Sequence, residues 1–311
     1  MSILQHSASF SPKTKTTVTV GTFDGVHLGH QKIITKLVAA AKKNGSAPTL
    51  LTFDPHPRKV VQPNASVSLI QTLEERAETL ANLGLQHMVV HPFTKAFSQL
   101  SAAEYVKEFL VDMLNIDQII IGHNHRFGKN RTASVEDLQH FGNIYGFKVT
   151  QISAQEIDNI SISSSKIRTA LAMGDVATAH AFLGHPFTLT GNVIEGQQRG
   201  RTIGFPTANI AVNHPDKIIP KNGVYAVVVR LQSTTRLGMM NIGTNPTVNG
   251  EHKSIEVHIF DWSDDIYNQP IQVSLIERIR DELKFDSLEA LRKQLEKDKE
   301  AILTAYNTLP L

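Results

Sequence analysis

Two periodicities of hydrophobic and polar positions divide this chain. In its first half, short apolar runs alternate with segments of helical spacing. Thr16 to Val20 (TTVTV) is β-branched throughout, the composition of a buried strand. Gln31 to Ala41 then places Ile33, Ile34, Leu37 and Val38 at the spacing of one helical face. The same reading predicts strands over Pro48 to Phe53, His87 to Pro92, Asp117 to Gly122 and Lys148 to Ile152. It predicts helices over Leu73 to Leu83, Ala102 to Leu114 and Val135 to Tyr145. Strand followed by helix, repeated in this way, predicts a doubly wound parallel sheet.

The pattern changes in the second half. Ala170 to Leu183 reads as two short helical stretches broken at Gly174-Asp175, and Gly184-His185-Pro186 marks a boundary. The expected domains are 1–184 and 185–311. Strands then follow at short intervals: Phe187 to Glu195, Val224 to Leu231, Leu237 to Ile242, Ser254 to Phe260 and Ile271 to Glu277. This spacing predicts a small antiparallel β-barrel. Helical periodicity returns over Ser287 to Tyr306, with Leu288, Leu291, Leu295 and Leu303 as the expected inward stripe and charged residues on the other faces.

Composition narrows the classes. At 311 residues the chain exceeds one typical domain, and with 41% hydrophobic and 19% charged residues it can bury real cores. Thirty-one basic against 29 acidic residues leave a net charge of +2, so no polycation points to nucleic acid. The absence of cysteine removes disulfides, thiolate metal sites and cysteine nucleophiles. No apolar run approaches membrane-spanning length, and the N-terminus has no continuous apolar segment. A soluble cytoplasmic protein, monomeric or weakly homo-oligomeric, is expected.

Chemistry concentrates at a few turns. Between the first strand and first helix runs Gly21-Thr22-Phe23-Asp24-Gly25-Val26-His27-Leu28-Gly29-His30. Glycines on a strand-to-helix bend, facing helix N–H groups, make an anion site, and His27 and His30 can both point at a phosphate resting there. The expected ligand is a nucleoside triphosphate. The second strand runs into Asp54-Pro55-His56-Pro57-Arg58, where Arg58 is either a phosphate partner or a surface arginine on a turn. The fourth ends at His123 to Arg131, rich in cations. Ser161 to Arg168 (SISSSKIR) opens a helix with capping serines. Lys166 and Arg168 there are disfavoured near a positive helix end unless a polyphosphate lies between them.

In the barrel, Gly196 to Asn209 contains Gly200, Arg201 and Gly204 but lacks the Gly-Lys-Ser/Thr of a P-loop. It can wrap phosphates, with Thr207 and Asn209 offering oxygens to Mg²⁺, or be a plain hairpin loop. Glu256 and His258 share one face of SIEVHIF; a carboxylate there either pairs structurally or works as a base.

GTFDGVHLGH, TFDPHPR and ISSSKIR together resemble the adenylyltransferase module of bacterial bifunctional riboflavin kinase/FMN adenylyltransferases. GRTIGFPTANI, NGVYAV, IGTNPTV, IEVHIFD and RDELKF resemble the riboflavin kinase module of the same family, so the likeness spans residues 17 to about 301. It implies a nucleotidyltransferase domain followed by a barrel kinase domain. The activities implied are Mg²⁺- and ATP-dependent phosphorylation of riboflavin, then adenylyl transfer from a second ATP to FMN, giving FAD and pyrophosphate. The sites implied are His27, His30, Arg168 and Glu256 for catalysis, with Glu256 the base on the ribityl 5′-hydroxyl. Gly21, Phe23, Asp24, Gly29, Ser164, Ser165, Lys166, Gly200, Arg201, Gly204, Thr207 and Asn209 are the nucleotide contacts, Thr207 and Asn209 also meeting Mg²⁺. Arg58, Asn124, Arg126, Phe127, His258 and Arg280 are the flavin contacts. Asn124 and His125 replace the family's usual aspartate and aromatic residue, and Glu195 stands where a histidine is common. A riboflavin kinase with an inactive or re-targeted first domain and a non-catalytic flavin-binding regulator are the competing expectations.

Overall fold

A computed structural model describes residues 3–62, 64, 67–122, 125–153, 162–196, 198–247 and 250–306. The chain divides into two compact units, Met1–Ser164 and Ser165–Leu311.

The first unit is a parallel sheet of β1 (Leu4–His6), β2 (Thr16–Val20), β3 (Ala47–Asp54), β4 (His87–Pro92), β5 (Ile116–Gly122) and β6 (Lys148–Ile152), in the order β1-β4-β3-β2-β5-β6. Alternation sorts its side chains onto two faces. Leu51, Val89, Ile119 and Ile121 join one core with Leu110, Leu114 and Leu138, while Leu50, Met88, Val90 and Ile120 join the other with Ile34, Leu37 and Leu80. Both faces are covered, as the continuous apolar strands require. The covering helices are α1 (Leu28–Asn44), α3 (Leu73–Asn82), α4 (Ala102–Glu104) with its π-helical continuation Tyr105–Met113, and α5 (Val135–Tyr145). A short α2 (Pro57–Val61) follows β3. The sequence pattern missed β1, because three residues are too few to show a period; pairing with β4, Leu4 opposite Met88, makes it a strand.

The second unit, Ser165–Leu311, takes in α6 (Ser164–Met173) from its second residue and α7 (Val176–Leu183). The amide of Lys221 bonds the Leu171 carbonyl, and Arg278 lies over Gly174, tying these helices to the barrel. The barrel closes in the order β10-β11-β8-β7-β12-β9. Its strands are β7 (Thr188–Ile194), β8 (Ala208–Val212), β9 (Gly223–Leu231), β10 (Thr234–Thr247), β11 (Gly250–Ile259) and β12 (Pro270–Arg280). Alternate residues Val224, Ala226, Leu237 and Met239 pack outside it with Phe205, Phe260 and Ile302 of α8 (Leu288–Tyr306). The intervening Tyr225, Val227, Met240 and Val257 are fully buried on the opposite, interior face.

α8 differs from its expected stripe. Leu295 and Leu303 pack inward, but Leu288 is exposed and Ile302 is the buried anchor. Asp298, one of the charges expected to face solvent, is buried and holds Arg280 through bonds of 2.9 Å from Nε and 2.7 Å from Nη2 to Oδ2. Its spacing explains this: Asp298 lies three residues after Leu295 and four before Ile302, on the same stripe.

Candidate active sites

In the first unit the glycine turn joins β2 to α1 through an unusual backbone. Phe23 (φ 48°), Gly25 (φ 87°) and Val26 (φ 37°) all occupy the left-handed region, uncommon for phenylalanine and more so for β-branched valine. The surroundings hold this shape. Val26 N–H bonds the Phe23 carbonyl at 3.0 Å, and Gln31 Nε2 donates to the Val26 carbonyl at 2.9 Å. Gly21 permits it, since a Cβ there would sit 3.1 Å from the Phe23 ring.

Asp24 serves that turn. Its carboxylate is 1% exposed and accepts from the backbone N–H groups of Ile70 (3.0 Å) and Gln71 (2.9 Å), with Arg76 Nη2 3.6 Å away. The side chain binds the protein's own backbone, because burial of a carboxylate demands donors nearby. Ser164 Oγ donates to the Asp24 carbonyl at 2.9 Å, fastening the serine motif to the same turn.

His27 caps α1, its Nδ1 accepting from His30 N–H at 3.4 Å. With Nδ1 an acceptor, the neutral ring carries its proton on Nε2. The two imidazoles stack at 3.7 Å between centroids, and Phe23 stacks on His30 at 4.5 Å. Burial lowers the His27 pKa to about 4, opposed by a hydrogen bond with its own backbone and by Asp24. His30 is held well below its usual range by burial first, then by His27 and Arg76. Both are therefore neutral at pH 7, hydrogen-bonding groups at the positive end of a helix. Gly29, between them, is buried.

Other expected residues of the first unit follow β3 and β5. Arg58 is exposed on α2, with Nε donating to Gln62 at 3.1 Å. Arg126 is exposed beside β5, whereas Phe127 belongs to the hydrophobic core, its ring 5.7 Å from that of Tyr105. An isolated antiparallel bridge pairs Phe127 with Ala133. Asn124 lies outside the described residues. Ser165 and Lys166 are exposed on the first turn of α6, and Arg168 is half-buried on the next.

The barrel places its chemistry on the outer face. Register sets Glu256 of β11 directly opposite Asn209 of β8 and Asn241 of β10, so the three share one face. Thr207 Oγ1 donates to Glu256 Oε2 at 3.1 Å. Asn209 lies against Gly196, where a Cβ would stand 2.0 Å from Nδ2; only glycine leaves that room. Gly200 is likewise required, since a Cβ would meet the Phe205 carbonyl at 2.1 Å, and Gly204 has φ 83°. Arg201 is exposed in the 3₁₀ turn Arg199–Ile203. The donor set fits Mg²⁺: hydroxyl, amide and carboxylate oxygens from adjacent strands are hard ligands, and this ion is commonly held by few protein groups together with substrate phosphates.

Two expected flavin contacts, Arg280 and His258, have protein partners of their own. Arg280 is engaged by Asp298, as above, its guanidinium also 6.0 Å above the Phe285 ring. His258 is 8% exposed, with Nδ1 2.8 Å from the Pro206 carbonyl. Burial lowers its pKa, and Lys299 adds to the effect while the carbonyl bond and Asp261 oppose it. Residues the sequence did not point to are Asn241 and Gly243; a Cβ on Gly243 would meet Glu282 Oε1 at 2.6 Å. Strand period alone could have found Asn241, a polar residue among the apolar ones of β10.

Residues 10–166 match the family described as FAD synthetase, and residues 183–306 match riboflavin kinase. The bifunctional riboflavin kinase/FMN adenylyltransferase of Listeria monocytogenes is 42% identical over 90% of this chain and 89% of its own. Those of Escherichia coli K12 (35%, covering 94% of each) and Bacillus subtilis (36%, covering 98% and 96%) are also similar. A crystal structure described as a macrolide-efflux protein from Streptococcus pneumoniae superposes with a TM-score of 0.87 at 32% identity, covering 96% of this chain and 98% of its own. Among the described residues, no helix is long and apolar enough to cross a membrane.

Proposed function

The chain belongs to the bifunctional riboflavin kinase/FMN adenylyltransferase family, and from that premise we propose which residues perform each reaction. The enzyme phosphorylates riboflavin with ATP to give FMN, and transfers an adenylyl group from ATP to FMN to give FAD and pyrophosphate. We assign phosphorylation to the barrel unit and adenylyl transfer to the parallel-sheet unit.

In the barrel, Glu256 is the general base. Thr207 holds Oε2, leaving Oε1 to take the proton of riboflavin's terminal ribityl hydroxyl as its oxygen attacks the γ-phosphate of ATP. Thr207 and Asn209 would hold Mg²⁺, which when bound neutralises charge on the phosphates. Phosphoryl transfer asks the protein mainly for position and charge complementarity. Gly196 and Gly200 meet the first demand by letting Asn209 and the Phe205 carbonyl pack against them, which sets Asn209 beside Glu256.

In the parallel-sheet unit, an FMN phosphate oxygen attacks the α-phosphorus of ATP, and the bond to the pyrophosphate oxygen breaks. The nucleophile is already anionic, so a strong base is unnecessary and stabilisation of added charge dominates. His27 Nε2–H and the first N–H groups of α1 are the preorganised donors, with His30 stacked behind. The resemblance adds Lys166, Arg168 and Arg126 as cations for this step.

The observation that carries this reading is the Glu256–Thr207 pair, set beside Asn209 on a barrel, in a chain whose first unit carries stacked histidines at the start of α1. Incubation with riboflavin, ATP and Mg²⁺, followed by chromatographic separation of FMN from FAD, tests it. Both products are expected, FMN first; neither product, or FMN alone, overturns the corresponding half.

A further inference from the structure

The segment that carries Thr207 to Glu256 is pinned at three successive residues. Phe205 N–H bonds the Gly200 carbonyl at 2.9 Å, the Pro206 carbonyl meets His258 Nδ1 at 2.8 Å, and Thr207 Oγ1 bonds Glu256 Oε2 at 3.1 Å. The middle pin comes from His258, itself 8% exposed. His258 sits two residues from Glu256 on β11, hence on the same outer face. Its ring lies 5.1 Å from that of Phe205 and 5.6 Å from that of Phe260. A carbonyl can only accept, so Nδ1 is the protonated nitrogen and the ring's orientation is fixed by both bond and packing.

We infer that His258 is a positioning residue for phosphoryl transfer. By anchoring the Pro206 carbonyl, it sets the adjacent Thr207 hydroxyl where it can orient the Glu256 carboxylate. Proline has one accessible φ, so a fixed carbonyl on Pro206 leaves Thr207 little freedom at its N-terminal side. The ring's donor is used inside the protein, which explains why His258 lies on the active face yet is shut off from ligand. This inference rests on Glu256 acting as the base, because the effect is transmitted through that carboxylate.

The test compares donors at different reach. His258→Asn keeps an N–H near the Nδ1 position, His258→Gln moves it one bond further, and His258→Phe keeps a ring without a donor. For FMN formation by the full-length protein, kcat should fall about 10–100-fold in His258→Phe and His258→Gln, as expected for a misplaced reacting group. KM for riboflavin should stay within about threefold, and His258→Asn should recover to within about fivefold of the parent. In a Thr207→Val background, His258→Gln should cost no more than about twofold further, because the two residues act in one line. Equal kcat for the asparagine and glutamine variants, or losses that multiply with Thr207→Val, would overturn the inference, and neither result needs the phenylalanine variant to fold. If Glu256→Gln retained the parent's kcat, the base assignment itself would fall; a dead Glu256→Gln with equal Asn and Gln variants would sink only the role of His258.

Discussion

The imidazoles of His27 and His30 stack at 3.7 Å between ring centroids, tilted by 16°, inside a turn that buries them. Two cations cannot be held at that distance in a desolvated site, so the pair stays neutral until negative charge arrives. Stability carries the signature. The folded pKa of His27, about 4, lies below the 6.5 of an unperturbed imidazole, so the unfolded chain binds the extra proton between those values. The fold is therefore fully favoured by this group above pH 6.5 and loses that contribution as pH falls towards 4, by up to about 3 kcal/mol. Urea denaturation at stepped pH should show the loss, and His27→Gln should flatten it.

The two activities should separate by mutation. Removing an oriented donor at a charge-developing site typically costs about 10²–10³ in rate. His27→Ala should lower FAD formation from FMN by that order, and His30→Ala, which removes the ring stacked behind His27, should lower it as well, while FMN still forms from riboflavin in both. Glu256→Ala should do the reverse. Product analysis of all three variants, each shown folded by circular dichroism, checks this; loss of both activities in any one refutes the two-site assignment.

Asp298 and Arg280 form a buried pair joining α8 to the end of β12. Cutting one partner leaves a desolvated charge, so Asp298→Ala should destabilise the barrel unit by about 3–5 kcal/mol. The double change Asp298→Leu with Arg280→Met should cost clearly less, since no charge remains unmatched. Thermal melting of the three proteins decides it, the single variant melting lowest.

Gly196 sets the place of Asn209. A methyl group added there would lie 2.0 Å from Nδ2, so Gly196→Ala must push the amide off the row it forms with Glu256. KM for Mg·ATP in the kinase reaction should rise about tenfold, equivalent to about 1.4 kcal/mol. Adenylyl transfer to supplied FMN should be unaffected; steady-state kinetics in both assays measure the contrast.

Period and punctuation along the chain determined the architecture. Strands buried on both faces read as continuous apolar runs, and glycine and proline marked where elements end, so all but the three-residue β1 of the sheet strands were legible. The glycine turn with His27 and His30 and the strand face of Glu256 were legible for the same local reason: spacing places a side chain on a face or at a helix start. What a side chain touches is a different matter. Asp24 reads as a ligand contact in sequence, which gives no sign of the N–H groups of Ile70 and Gln71 brought to it from far along the chain. Phe127 and Arg280 read as flavin contacts in sequence, which gives no sign of the Tyr105 ring beside the first or of Asp298 of α8 bound to the second. His258 faces the active side in sequence, but Pro206 uses its donor. Those partners lie from about 20 to 50 residues away, beyond the reach of any local period. Only closing the sheet and barrel decides which polar groups remain for substrate, because burial obliges the rest to satisfy one another.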